Sequence, residues 1–149
     1  MSDLQKLKDW IGKSPYADIL QNMRVDYTDS LPGEFGIFPA GLTEISRERY
    51  IDGDMVVNNQ YNFAIYTVFE KAPGDDAGAL INADWLMDFQ RWVQQESIMH
   101  RAPTFGNVAQ DEETIRAQNG VLYDADNDGL AMYMVQLTAT FQQYFESED

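Results

Sequence analysis

Apolar residues return along this chain with two different periods. Near the start, Leu4, Leu7, Trp10 and Ile11 fall at helical spacing behind Asp3, a side chain suited to capping, and Gly12 closes the run. That predicts a first amphipathic helix. Ser14 and Pro15 suit a second short helical turn through Ala17–Gln21, because proline fits a first helical position. The clearest helix comes later. Trp85, Phe89, Trp92 and Val93 recur at i, i+4, i+7 and i+8, while Asp88, Gln90, Arg91, Gln94 and Gln95 point elsewhere. Asn82 or Asp84 is its expected cap, and Pro103 predicts an end near Ser97–His100.

Elsewhere the period drops to two. Gly36–Phe38 and Thr43–Tyr50 read as short strands, with loop chemistry at Leu31-Pro32-Gly33 and again at Pro39-Ala40-Gly41. Asp52-Gly53 predicts a hairpin turn, since glycine tolerates the positive φ such turns require. Its outgoing strand sets Tyr61, Phe63, Ile65, Thr67 and Phe69 on one face and Asn62, Ala64, Tyr66, Val68 and Glu70 on the other. Apolar residues on both faces predict a central strand covered on each side. "KAPGDDAGA" then breaks the pattern. Two final strands are expected at Thr114–Tyr123 and Leu130–Gln143. In the second, Tyr133, Val135, Leu137, Ala139 and Phe141 alternate with Met132, Met134, Gln136, Thr138 and Thr140. The order helix, strands, helix, strands predicts an α+β fold, a mainly antiparallel sheet with helices packed on it. We expect a single domain over residues 1–149, with a flexible acidic end from about Tyr144.

Composition narrows the chemistry. Cysteine is absent, which removes disulfides, thiolate catalysis and cysteine-based zinc sites together. No stretch approaches the ~20 apolar residues of a membrane span, and the first residues lack the apolar segment of a secretion signal. A soluble chain made in the cytoplasm, with no membrane partner, is expected. The net charge is −15, and only Arg116 offsets the acids between Ala102 and Asp149. Such a surface repels phosphates, so no specific nucleic-acid partner is expected.

The acidic turn at Asp124, Asp126 and Asp128, followed by Gly129, begins like a calcium loop. The ninth and twelfth loop positions are Met132 and Val135, neither an oxygen ligand, and the following residues alternate as a strand. It reads as a hairpin turn. His100 is the sole histidine, without a nucleophile motif around any serine or threonine, and is expected at a helix end. "PGEFG" and "PGDDAG" do not lead into a phosphate loop. Adjacent acids such as Glu112-Glu113 and Asp75-Asp76 are expected to be solvated. No catalytic, cofactor or metal site is predicted. Tyrosine is enriched at interfaces, and Tyr50, Tyr61, Tyr66, Tyr133 and Tyr144 are candidates for one.

Five segments taken in order carry a resemblance: "GIFP", "ISRERYIDGD", "NFAIYTVFE", "WLMDFQRWVQQE" and "LYDADNDGLAMYMVQLTATFQQ". Together they resemble small minor capsid proteins of tailed bacteriophages infecting Gram-positive bacteria, which look like tail terminator or tail-completion proteins. The resemblance spans roughly residues 4–143. It implies a tail-terminator-like α+β virion subunit without catalytic residues or cofactors. Such a subunit joins copies of itself in a ring, usually hexameric, and meets the phage tail tube or head connector. Assembly would take place in the host cytoplasm. The Tyr50–Asp54 hairpin, with Arg47 and Arg49 on its incoming strand, is the expected subunit contact: Arg47, Arg49, Tyr50, Asp52 and Asp54. Part of the acidic excess, at Asp111–Glu113 or Asp124–Asp128, would face the lumen through which DNA passes. Two other readings stay open: a cellular interaction module docking a basic partner on its acidic surface, and a small enzyme.

Overall fold

A computed structural model describes residues 2–14, 22–25, 34–70, 76–125 and 130–147. The first helix, α1 (Asp3–Gly12), buries Leu7, Trp10 and Ile11 as its apolar stripe predicts. Its cap lies one residue earlier than expected. The Ser2 hydroxyl accepts the Gln5 amide at 3.2 Å, which leaves Asp3 inside the first turn, where an acid suits the positive helix end. The turn expected at Ala17–Gln21 and the Leu31-Pro32-Gly33 loop lie outside the described residues.

Five strands form one sheet in the order β1-β2-β3-β5-β4. These are β1 (Asn22–Val25), β2 (Glu34–Arg49), β3 (Met55–Glu70), β4 (Thr114–Ala125) and β5 (Leu130–Phe145). The longer second helix, α2 (Asp76–Ile98), connects β3 to β4. β1 runs parallel to β2, and the other three pairings are antiparallel. The fold is α+β, as expected. The short β1 has no counterpart in the sequence reading, because four residues give too little alternation to register.

Four expectations need correction. The two short strands on either side of Pro39-Ala40-Gly41 are one strand. The register passes from Pro39↔Phe63 to Gly41↔Asn62, so Ala40 is an extra residue in a bulge, and Gly41 takes φ +96°. A bulge absorbs these residues without ending the strand, and proline is tolerated because β1 pairs β2 only as far as Ile37. Second, α2 starts at Asp76, well before Asn82 and Asp84, which lie within it. Ala77, Ala79 and Leu80 favour helix strongly enough to carry Gly78.

Third, β3 is central but covered on one side only among the described residues. Val57, Asn59, Phe63, Ile65 and Thr67 are buried on the helical side, and Asn58, Gln60, Asn62, Ala64 and Tyr66 remain half-exposed. β5 repeats the pattern, with Tyr133 through Phe141 buried at alternate positions and Met132, Met134 and Gln136 facing out. Fourth, the acidic end is tied down past Tyr144. β5 pairs through Phe145 with Met55, and the Ser147 amide donates to Asp54 Oδ1 at 2.6 Å.

One hydrophobic cluster unites both helices with β2, β3, β4 and β5. Trp10 of α1 stacks on Trp92 of α2 with centroids 4.8 Å apart, and its indole N–H donates to Glu96 at 3.4 Å. Both helices therefore dock on the same face of the sheet. Among the described residues, no helix is long and apolar enough to cross a membrane.

Candidate subunit interface

From Pro39 onward β2 and its turn form an exposed edge arm of the sheet, while β3 beside it stays paired to β5 along its whole length. Every residue from Pro39 to Asp52 is exposed, although the segment includes Leu42, Ile45, Tyr50 and Ile51. The turn is built locally. The Tyr50 amide donates to Asp54 O at 2.8 Å, the Gly53 amide donates to Tyr50 O at 3.0 Å, and Gly53 adopts φ +93°. This is a type I turn closed by a left-handed residue, one of the common three-residue hairpin loops. Asp52 Oδ1 accepts the Asp54 amide at 2.9 Å, fixing the tip. That geometry leaves the Ile51 side chain wholly in solvent, at 109% of its reference exposure.

The five expected contact residues divide by role. Arg47 pairs with Glu44 at 2.7 Å, and both stay exposed. Residues three apart on a regular strand face opposite ways; the register shift between Glu44 and Ser46 adds Ile45 and brings the two charges to one side. Arg49 follows two residues after Arg47, and Tyr50 opens the turn; both are exposed. These charges sit on a strand edge that no described strand pairs beyond Ile37, where charge and bulges discourage indiscriminate pairing.

Asp54 differs: its carboxylate accepts the Tyr144 hydroxyl and the Ser147 amide, clamping the turn to the end of β5. These bonds, the Tyr144 hydroxyl first, hold Asp54 below the usual carboxylate range and push Tyr144 up to about 12. Asp54 is thus an internal anchor, and Asp52 is exposed at the tip. Ile51 is not among the five expected residues; its only signal in the sequence is an isoleucine in an otherwise polar turn.

Of the other candidate tyrosines, Tyr133 is core. Tyr61 is half-buried, donates to Asp3 at 2.6 Å and packs edge-on against Phe105 at 5.5 Å. Burial, with the Asp3 hydrogen bond second, raises it to about 12. Tyr66 stands half-exposed on the open sheet face.

A cavity of about 230 Å³ brings His100 near Ser97, Asp111 and Glu113. The local bonding there is structural. The Ser97 hydroxyl accepts the Ile115 amide at 3.0 Å. Both Glu113 oxygens are occupied, accepting the Phe105 amide at 2.7 Å and the Gly106 amide at 3.1 Å. Glu113 therefore departs from the expectation that the Glu112-Glu113 pair is solvated. Burial pushes its carboxyl up, against the pull of those amides. Asp111 and Glu112 are exposed in a 3₁₀ turn (Gln110–Glu112).

His100 does sit at the end of α2, but its backbone matters more than its imidazole. The Arg101 amide donates to Glu96 O at 2.9 Å and the His100 amide to Ser97 O at 3.2 Å, with His100 at φ +58°. That is a Schellman cap with histidine in the slot glycine prefers. His100→Gly is expected to raise stability by about 1 kcal/mol, the strain of a left-handed non-glycine residue, with the urea midpoint as readout.

Asp126, Asp128 and Gly129 of the acidic turn lie outside the described residues. The strands on either side pair with each other, Ala125 opposite Ala131, where a calcium hand needs helices. Among the described residues, no group of three or more acidic or histidine side chains is placed to hold a metal. Neither a protein-family model nor a curated protein matches the chain.

Proposed function

We propose that this chain is a non-enzymatic structural subunit of a tailed-phage virion. In this reading it is a tail terminator, tail-completion or head–tail joining protein whose copies close into a ring and meet a tail tube or head connector. One observation carries the proposal: an arm exposed at every residue from Pro39 to Asp52 that presents Leu42, Ile45, Tyr50 and Ile51 to solvent. Exposed apolar groups grouped on one sheet edge and its turn mark a surface made to be covered. The clamp of Asp54 to Tyr144 and Ser147 supports the same reading, because a pre-set arm loses less entropy on docking than a loose one. The half-exposed sheet face around Tyr66, Met132 and Met134 offers further area.

Light scattering after size exclusion, run at several concentrations, is expected to show oligomers that grow with concentration. Ile51→Asp is expected to shift them to monomer while the far-UV circular dichroism stays unchanged. Particles assembled without the protein, seen by electron microscopy, are expected to carry tails of uncontrolled length or heads lacking tails. A chain that stays monomeric both in solution and on tail tubes, together with normal particles in its absence, would overturn the reading.

A further inference from the structure

The sheet has two long edges, and they are unlike. β2 forms one edge beyond Ile37, with the turn at its end, whereas β4 forms the opposite edge, with α2 lying alongside it. Between α2 and β4 runs a groove of about 620 Å³. On its helical wall stand Met87, Arg91, Gln94 and Ile98, and Arg116 projects from β4. Met87 and Ile98 are exposed, at 61% and 66%.

Two features of this groove select what can enter it. The first is charge. In a chain of net charge −15, no acid among the described residues lines the groove, and two arginines do. Neither arginine has an ion-pair partner among the described residues. The second is backbone chemistry. The β4 edge is already hydrogen-bonded from α2: Ser97 Oγ accepts the Ile115 amide at 3.0 Å, and Gln90 Nε2 donates to Ala117 O at 3.2 Å. An added strand would find those groups taken, so the groove suits a side-chain knob and disfavours an extended peptide.

The tip of the arm has the matching form. Ile51 and Tyr50 make an exposed apolar knob; the exposed acids Glu48 and Asp52 stand beside it, and the exposed Arg49 lies on the other side of the strand. We infer that the arm tip of one copy docks into the α2–β4 groove of the next, Ile51 against Met87 and Ile98, with Glu48 and Asp52 facing Arg91 and Arg116. Knob and groove are separate surfaces of one subunit, which permits a head-to-tail contact. Such contacts propagate from copy to copy and generate a ring where the rotation closes. The inference rests on the self-assembly proposed above and adds the surface that receives the arm.

The absence of cysteine gives a direct test. Ile51→Cys and Gln94→Cys proteins, mixed and mildly oxidised, are expected to give a disulfide-linked heterodimer far above the yield of either protein alone. In sedimentation velocity, Arg91→Glu combined with Arg116→Glu is expected to weaken self-association by roughly 30-fold, the loss of one hot-spot contact. Glu48→Arg added to that double variant is expected to recover part of it. Mixing the groove variant with Ile51→Asp is expected to give dimers and nothing larger, because only one sound knob and one sound groove remain. Wild-type oligomers that survive the groove substitutions, with no disulfide formed between the two cysteine variants, would overturn the docking site and leave self-assembly standing. A wild-type chain that never self-associates would overturn both. Oligomers sensitive to Ile51→Asp but not to the groove substitutions would place the arm on another surface or another protein, and also refute this site.

Discussion

Phe89→Ala is expected to cost about 4 kcal/mol, the loss of a buried aromatic plus the cavity it leaves. Phe89 is 1% exposed and lies flat against Trp85, with ring centroids 5.5 Å apart and planes 4° apart. Its other neighbour, Trp92, is 6.0 Å away and stacks in turn on Trp10. The four rings form a column that joins α2 to α1. Truncating Phe89 therefore removes a member on which both helices depend, in a site whose large rigid neighbours cannot collapse into the gap. Against a typical total stability of roughly 5–15 kcal/mol, the loss takes the domain close to its unfolding threshold. Urea unfolding is the measurement. The midpoint is expected to fall steeply with little change in slope, since the surface exposed on unfolding is nearly the same. A loss below about 1 kcal/mol would mean that α2 does not dock through this stripe.

That column was legible in the sequence, because Trp85, Phe89, Trp92 and Val93 obey a helical period that few other arrangements satisfy. β5 was legible for the same reason: strict alternation from Tyr133 to Phe141 matches its buried face. Where local chemistry and tertiary pairing compete, pairing wins. Pro39 and Gly41 signal a loop locally, yet pairing with Phe63 and Asn62 carries β2 straight through them. Apolar residues on both faces of β3 suggested two covers, but no described helix packs on the second face.

The candidate interface was legible only in part. The Asp52-Gly53 pair announces the turn, and Arg47, Arg49 and Tyr50 do lie on an exposed arm. Pattern alone does not show that Leu42 and Ile45 are exposed, since either would serve equally well in a core. Nor does it show that Asp54 is an internal anchor, because its partner Tyr144 is 90 residues away. The α2–β4 groove is also invisible in sequence. Arg91 and Arg116 look like unrelated surface charges until the fold sets a helix beside an edge strand.

Gly106→Ala is the second large effect, expected at roughly 3 kcal/mol or more, at the upper end of the cost of overpacking. A Cβ on Gly106 would stand 2.0 Å from Gln142 O and 3.2 Å from Gln142 N, both backbone atoms. Neither side can give way easily. Gln142 is held in β5 opposite Asn58, and Val108 bridges to it from the loop. On the other side, Glu113 grips the Phe105 and Gly106 amides, and the Asn107 carboxamide exchanges hydrogen bonds with the Tyr144 backbone at 2.7 and 3.0 Å. A methyl group must break one of these attachments. Phe105, packed against Tyr61 and Phe141, would then be pulled from the core. Gly12→Ala is the control. Its Cβ meets nothing within 4 Å, so alanine at the end of α1 is expected to be neutral or to stabilise by up to about 1 kcal/mol. Equal losses at the two glycines would show that close approach to Gln142 does not limit position 106. A large gap between them ties the stability of this loop to the same stretch of β5 that anchors the turn, so Gly106→Ala is also expected to loosen the Tyr144–Asp54 clamp along with the fold.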